Sequence, residues 1–200
     1  MISLTPSCKD PKKRKVGLYL LLRKVCSSSN LLRKMTASPS LTESVLHAIR
    51  IAKPTDAAAL ARLRYALRAS TGRAPEPEAE FIQRCSAWMH EHLQSNAWHC
   101  WVAELDGQLI GAVWLQLVEK IPNPRHEAEH HAYITNFYIQ EEARGQGIGS
   151  QLLRAVLDWC KTRDVHSVIL WPTERSRSLY ERHGFAVRDD IMELIVKPAH

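Results

Sequence analysis

The stretch Arg144-Gly145-Gln146-Gly147-Ile148-Gly149 lies between a β-like run at 131–139 and a helical pattern at 147–163. Three glycines in five positions allow a tight turn and close backbone approach to a ligand, because no Cβ stands in the way. The first N–H groups of the following helix have no partner of their own and sit at the positive end of its dipole, an arrangement that suits a pyrophosphate. Arg144 adds a positive charge on the same side. Other phosphate motifs do not fit. A G-x-G-x-x-G fingerprint would need glycine where Ser150 or Leu152 stands, and no Gly-Lys-Ser/Thr follows the turn.

Working outward, 47–52 alternates as a short strand, and Thr55 or Asp56 can cap a helix carrying Ala59, Leu60, Leu63 and Leu67 at helical spacing. A break at 71–77 contains Gly72, Pro75 and Pro77. A second helix at 78–93 follows, with Phe81, Ile82, Cys85, Trp88, Met89 and Leu93 on one stripe. Two β-rich runs, 98–105 and 108–118, are joined by Asp106-Gly107, a hairpin signal. A proline-containing loop covers 121–129. The 147–163 helix bears Ile148, Leu152, Ala155, Val156 and Trp159 on one face. A strand at 167–171, a short helix at 176–183 stopped by Gly184, and strands at 185–187 and 191–196 complete the order β-α-α-β-β-β-α-β-α-β-β. Hairpins first and a βαβ crossover later predict an α/β (α+β) fold with a mixed, mostly antiparallel sheet flanked by helices. Strict alternation along 131–139 puts His131, Tyr133, Thr135 and Phe137 on one face and Ala132, Ile134, Asn136 and Tyr138 on the other.

Composition constrains the partners. The chain has 200 residues, 27 Lys plus Arg and 21 Asp plus Glu, a net of +6. Residues 1–34 hold nine of those bases and one acid, so the tail carries +8 and the remainder −2. The basicity belongs to the tail, and no nucleic-acid partner is expected for the folded part. Residues 1–45 read as a basic tail and linker, with the domain at 46–200. The block Pro11-Lys12-Lys13-Arg14-Lys15-Val16 resembles a nuclear import signal. The tail also permits a short secretory or transit segment, or an over-long start with Met35 as the true beginning. No apolar run reaches the ~18 residues a membrane span needs. Five widely spaced cysteines without a CxxC pair point to a reducing compartment. A cytoplasmic protein is expected, nuclear only in a nucleated cell that reads the basic block.

The RGQGIG turn with its flanking elements, followed by Leu179-Tyr180-Glu181-Arg182-His183-Gly184-Phe185, resembles the GNAT superfamily of acyl-CoA-dependent N-acyltransferases. The resemblance covers about residues 47–197 and is specific in two blocks, 136–153 and 170–185. It implies a GNAT-like acyl-CoA N-acyltransferase fold, acetyl-CoA as co-substrate, no metal, and direct attack by a primary amine of a small molecule or peptide in a ternary complex. It also implies roles. The backbone of Phe137, Tyr138 and Ile139 would bind the pantetheine arm. Amides of Arg144, Gly145, Gln146, Gly147, Ile148, Gly149 and Ser150 would hold the pyrophosphate. Tyr180 would hydrogen-bond or protonate the departing sulfur. Many relatives carry Asn where Thr173 stands, so Thr173 is a weaker cofactor contact.

The chemistry makes its own demands. An alkylamine of pKa ~10 is mostly protonated at neutral pH and must lose a proton before it attacks. Glu129 is the candidate base, and Asn136 could orient a water or the amine. The bland alternative for Tyr180 is a buried ring packing the sheet. His126-Glu127-Ala128-Glu129-His130 matches the H-E-x-x-H zinc motif, but the prolines before it and the strand after it argue for a loop, not a metal-binding helix. The competing functional class is an acyl-CoA-binding sensor or scaffold without turnover. A monomer or homodimer is expected, with no membrane partner.

Overall fold

The computed structural model describes residues 47–125 and 127–197. The expected basic tail and linker, 1–45, lie outside the described residues, as does His126 of the H-E-x-x-H stretch.

The elements in chain order are β1 (Ala48–Ile51), α1 (Ala57–Ala69), α2 (Glu78–His92), β2 (Trp98–Leu105), β3 (Gln108–Glu119), β4 (His130–Ile139), α3 (Ile148–Lys161), β5 (Val165–Ile169) and α4 (Glu174–Glu181). They build one five-stranded sheet in the order β1-β2-β3-β4-β5. The first four strands are antiparallel neighbours, while β5 joins β4 in parallel after the α3 crossover. The mixed sheet agrees with the expected fold class. The β2–β3 turn has Asp106 at φ 48° and Gly107 at φ 74°, the left-handed pair that matches strand twist in a two-residue hairpin.

Each face of the sheet carries its own core. On one side α3 packs Ile148, Leu152, Leu153 and Val156 against Trp101, Val113, Leu115, Ala132 and Ile134. On the other, α1 and α2 pack Leu60, Leu63 and Met89 against Val102, Ala112, Trp114 and Tyr138. The amphipathic stripes of α1 and α3 correspond to the helical spacing of their apolar residues.

The strand that would flank a thioester is not regular. β3 and β4 pair Trp114 with Thr135 and Ala112 with Tyr138, leaving Asn136 and Phe137 opposite the single residue Val113. This is a β-bulge. Asn136 takes φ 50°, a left-handed conformation that asparagine tolerates better than most residues. The bulge overturns the strict alternation expected from sequence. Phe137 and Ile139 join the α3 side, while Tyr138 joins the α1/α2 core.

Two further corrections concern the C-terminus. The strands expected at 185–187 and 191–196 do not form, and residues 185–197 have no regular secondary structure. Met192 and Val196 are 97% and 80% exposed. An alternating apolar run becomes a strand only when a neighbour satisfies its backbone N–H and C=O groups. The strand expected at 167–171 is instead Val165–Ile169.

An ionic cluster ties β1 to α1 and β2. Arg50 donates to both carboxylate oxygens of Asp56 at 2.7 and 3.0 Å and to Glu104 at 2.7 Å, while the Lys53 N–H donates to Asp56 at 2.7 Å. The Arg50 guanidinium holds the Asp56 carboxyl below its ordinary range. A depressed carboxylate adds stability at pH values above the unfolded value, and that stability is lost as pH falls through the folded value. Asp56→Asn is therefore expected to cost about 1–2 kcal/mol near neutrality, after allowing for solvent screening. The gap to wild type should close below about pH 4. Urea denaturation across pH checks both the size and the sign.

Candidate active site

Three elements converge where β4 ends. β5 pairs with β4 only as far as Tyr133, opposite Ile169. From residue 134 to residue 139, β4 pairs with β3 on one side and, among the described residues, has no strand on the other. A strand edge with unpaired N–H and C=O groups is a template for an extended, amide-bearing chain. Phe137, Tyr138 and Ile139 lie in this stretch of β4, and the Ile139 carbonyl accepts from Arg144 Nε.

The glycine turn follows. Gly145 and Gly147 both adopt φ 79°, which L-residues with a Cβ rarely take. Gly147 is the residue before α3, so the amides of Ile148, Gly149 and Ser150 form the first turn of that helix. They supply the free donors and positive dipole end that suit a pyrophosphate. Gly149 is close-packed: a Cβ there would sit 3.3 Å from Ile139 Cδ1 and 3.5 Å from Leu179 Cδ2. Its lack of a side chain leaves room for the Ile139 and Leu179 side chains beside α3.

The Arg144 side chain folds back rather than reaching outward. Its Nε donates to the Ile139 carbonyl at 3.0 Å, its Nη1 contacts Glu141 at 2.6 Å, and its guanidinium lies over the Tyr138 ring. Arg144 thus braces the turn against the strand end in this structure. Gln146 is exposed and donates to the Glu142 carbonyl at 3.3 Å.

Tyr180, on α4, is 7% exposed, and its ring lies 6.3 Å from Phe137 and 5.6 Å from Phe185. It does pack the core, yet it packs directly beside the open edge. Burial pushes its phenol up to about 12, partly offset by the Ser176 hydroxyl. Thr173 caps α4, and its hydroxyl is 2.9 Å from that of Ser176. The Thr173 side chain is therefore engaged in holding the helix start.

Glu129 is not brought into this group. It precedes β4, its N–H donates to Asp164, and its carbonyl accepts from the Lys120 N–H. At about 3.3 Å per residue, the strand carries it roughly 23 Å from Asn136. That corrects its candidacy as base, because a general base must reach the proton directly or through one water. Glu127 is paired with Lys120, residues 127–129 are not helical and His130 opens β4, so the H-E-x-x-H pattern has no helix to display it. Among the described residues no group of three His, Cys, Asp or Glu side chains could hold a metal ion. No helix among them is long and apolar enough to cross a membrane.

Asn136, in contrast, is in the group, and it has a partner the sequence reading missed. Arg64 of α1 donates from Nη1 to Asn136 Oδ1 at 3.0 Å. The signal was present: Arg64 interrupts the α1 stripe between Leu60 and Leu67, at i+4 and i−3. A charged residue on an otherwise apolar helix face calls for a specific partner.

Comparisons with known proteins agree with this geometry. The Acetyltransferase (GNAT) family matches residues 62–185. A probable N-acetyltransferase of Mycobacterium tuberculosis is 28% identical over 148 residues, covering 70% of this chain and 79% of that protein. A predicted acetyltransferase of Clostridium acetobutylicum, solved with acetyl-CoA, superposes with a TM-score of 0.64 at 24% identity, over 76% of this chain and 97% of the other. A GCN5-related N-acetyltransferase from Ralstonia eutropha gives 0.63 at 24% identity, over 76% and 99%. The chain belongs to the GNAT acetyltransferase family.

The buried phenol leads to a spectroscopic prediction. Tyr180, its phenol pushed up to about 12, should ionise only as the pH approaches that value. In an ultraviolet phenolate titration, Tyr180→Phe is expected to remove one tyrosine from the late end of the curve. Loss of an early-titrating tyrosine instead would contradict the buried environment.

Proposed function

We propose that the protein transfers an acetyl group from acetyl-CoA to a primary amine of a small molecule or peptide, by direct attack within a ternary complex. The observation that carries this reading is the open β4 edge running into the left-handed glycine turn and the start of α3. Backbone groups of Phe137, Tyr138 and Ile139 can pair with the amides of the pantetheine arm. Amides from Gly145 to Ser150 can receive the pyrophosphate. Acetyl-CoA, when bound, supplies an activated thioester carbonyl.

The chain's own residues then have definable tasks. Backbone N–H groups of the β4 edge can stabilise the oxyanion that forms on attack. Asn136 can orient the amine or a water through its amide. The amine proton can leave through solvent. Tyr180 acts on the leaving group, and its raised pKa decides how. A thiol has a reference pKa of ~8.5. Full proton transfer from a phenol at about 12 would be uphill by about 5 kcal/mol. Tyr180 can donate a hydrogen bond to the departing sulfur, and its raised pKa weighs against full proton transfer. In balance, the C–N bond forms, the C–S bond breaks, and the proton lost by nitrogen reaches sulfur through solvent.

Two measurements test this. Acetyl-CoA incubated with a panel of amines should release CoA and yield an acetylated product by mass spectrometry. Tight binding without CoA release across a broad panel would identify a sensor or scaffold instead. Tyr180→Phe should lower kcat about 10–100-fold, the value of one hydrogen bond to a charged group, with acetyl-CoA affinity changed little. An unchanged kcat removes Tyr180 from the reaction.

A further inference from the structure

Arg64 differs from the arginines whose charge is neutralised. Arg50, Arg84, Arg144, Arg177 and Arg188 each contact a carboxylate. Arg64 is half-buried between α1 and the sheet, and among the described residues no carboxylate lies within ion-pair reach of it. Its one side-chain partner is the neutral amide oxygen of Asn136. The titratable or charged groups that face it are Arg68 one turn along α1, the Cys85 thiol of α2 and the Tyr133 phenol of β4, none of them a carboxylate. Burial and Arg68 both work against its charge. An isolated, partly desolvated guanidinium is costly, and a planar fork of five N–H donors with one in use is poorly satisfied.

Its position gives that cost a purpose. Asn136 is the bulge residue, next to Phe137 and on the free part of β4. Arg64 approaches this point from the α1/α2 face, while Tyr180 packs on the α3 face beside Phe137. The two faces of β4 thus present different chemistry at one level of the strand: a hydrogen-bond donor for a leaving group on one side, and an unneutralised cation on the other. An amine approaching from the α1/α2 face would bring the atoms next to its nitrogen against Arg64.

Building on the acetyltransfer reading above, we infer that the acceptor is an amino carboxylate, an amine bearing a carboxylate a few bonds from the nitrogen, and that Arg64 binds that carboxylate. A guanidinium edge matches a carboxylate bidentately, so the missing counter-charge and the unused donors are supplied together by one planar group. Arg68 adds to the same local positive field. Bulk charge does not produce this preference, because the chain outside residues 1–34 is net −2. Asn136, held by Arg64, orients the amine, so recognition of the carboxylate and placement of the nucleophile are coupled through a single hydrogen bond.

The test compares α-amino acids with their matching α-amino amides, using the full chain and acetyl-CoA. Wild type should favour the acids in kcat/KM, and Arg64→Gln should cut the acid-over-amide ratio at least tenfold, chiefly through KM of the acid. Arg64→Lys, which keeps the charge and loses the fork, should restore part of it. Circular dichroism and melting curves establish that each variant is folded, and the wild-type acid-to-amide ratio stands even if a variant is not. A wild-type preference for the amide, or an equal loss for both acceptor series in Arg64→Gln, overturns the assignment. Calorimetry of the matching N-acetylated acid and amide, each added with CoA, reads binding without turnover. Arg64-dependent binding of the acid without acetyl transfer to any amine would support the carboxylate site while removing the transferase reading. Equal binding of acid and amide would remove the carboxylate site.

Discussion

The β-bulge at Asn136 is the constraint on which the site depends. One extra residue in β4 relative to β3 reverses the facing of everything after it. Without that insertion Phe137 would point toward α1 and α2, away from Tyr180, and Tyr138 would point toward α3. With it, the apolar ring beside Tyr180 and the tyrosine under Arg144 both fall where they are needed. The positive φ that the bulge demands falls on asparagine, and its short amide is free to accept from Arg64 across the face. The bulge thus sets which side chains face the phenol and which face the guanidinium, on a stretch of β4 that the early end of β5 leaves open.

Local neutralisation is uneven across the molecule, and the contrast is informative. Arg50 is clamped between Asp56 and Glu104, where it joins β1, β2 and the entry to α1. Arg144 is held by the Ile139 carbonyl and Glu141, where it fixes the route from strand to turn. Both are structural cations with their charge answered. Arg64, half-buried, is answered among the described residues by a neutral amide. The first two are explained as stabilising contacts, and the third is the one for which a carboxylate ligand is proposed. Tyr180 shows the complementary case. Its burial raises the phenol pKa to about 12, which makes it a poor source of a proton.

Much of this was legible in the sequence, for specific reasons. The strand-turn-helix unit around RGQGIG was readable because positive φ and close approach both select glycine, and because α3 repeats its apolar residues at helical spacing. The β2–β3 hairpin was readable because Asp-Gly fits its turn. The bulge was not readable: alternation is the only signal a strand offers, and an extra residue can be placed in it only when the partner strand is known. Glu129 looked plausible because distance along the chain says little about distance along a strand, where eight residues span most of the sheet. The strands expected at 185–187 and 191–196 failed for a related reason, since an apolar alternating run still needs a neighbour.

By itself, then, the sequence determined what is encoded within a few residues: glycines at left-handed positions, helical stripes, a tight hairpin, and the family blocks they compose. Tertiary structure decided what requires two distant segments at once. It set the register that creates the bulge, the early end of β5 that leaves β4 open, the burial that holds the Tyr180 proton in place, and the meeting of Arg64 with Asn136 across 72 positions of chain. The physical reason is that propensity and periodicity act locally. Desolvation, pairing and counter-charge depend on neighbours that only the folded chain supplies.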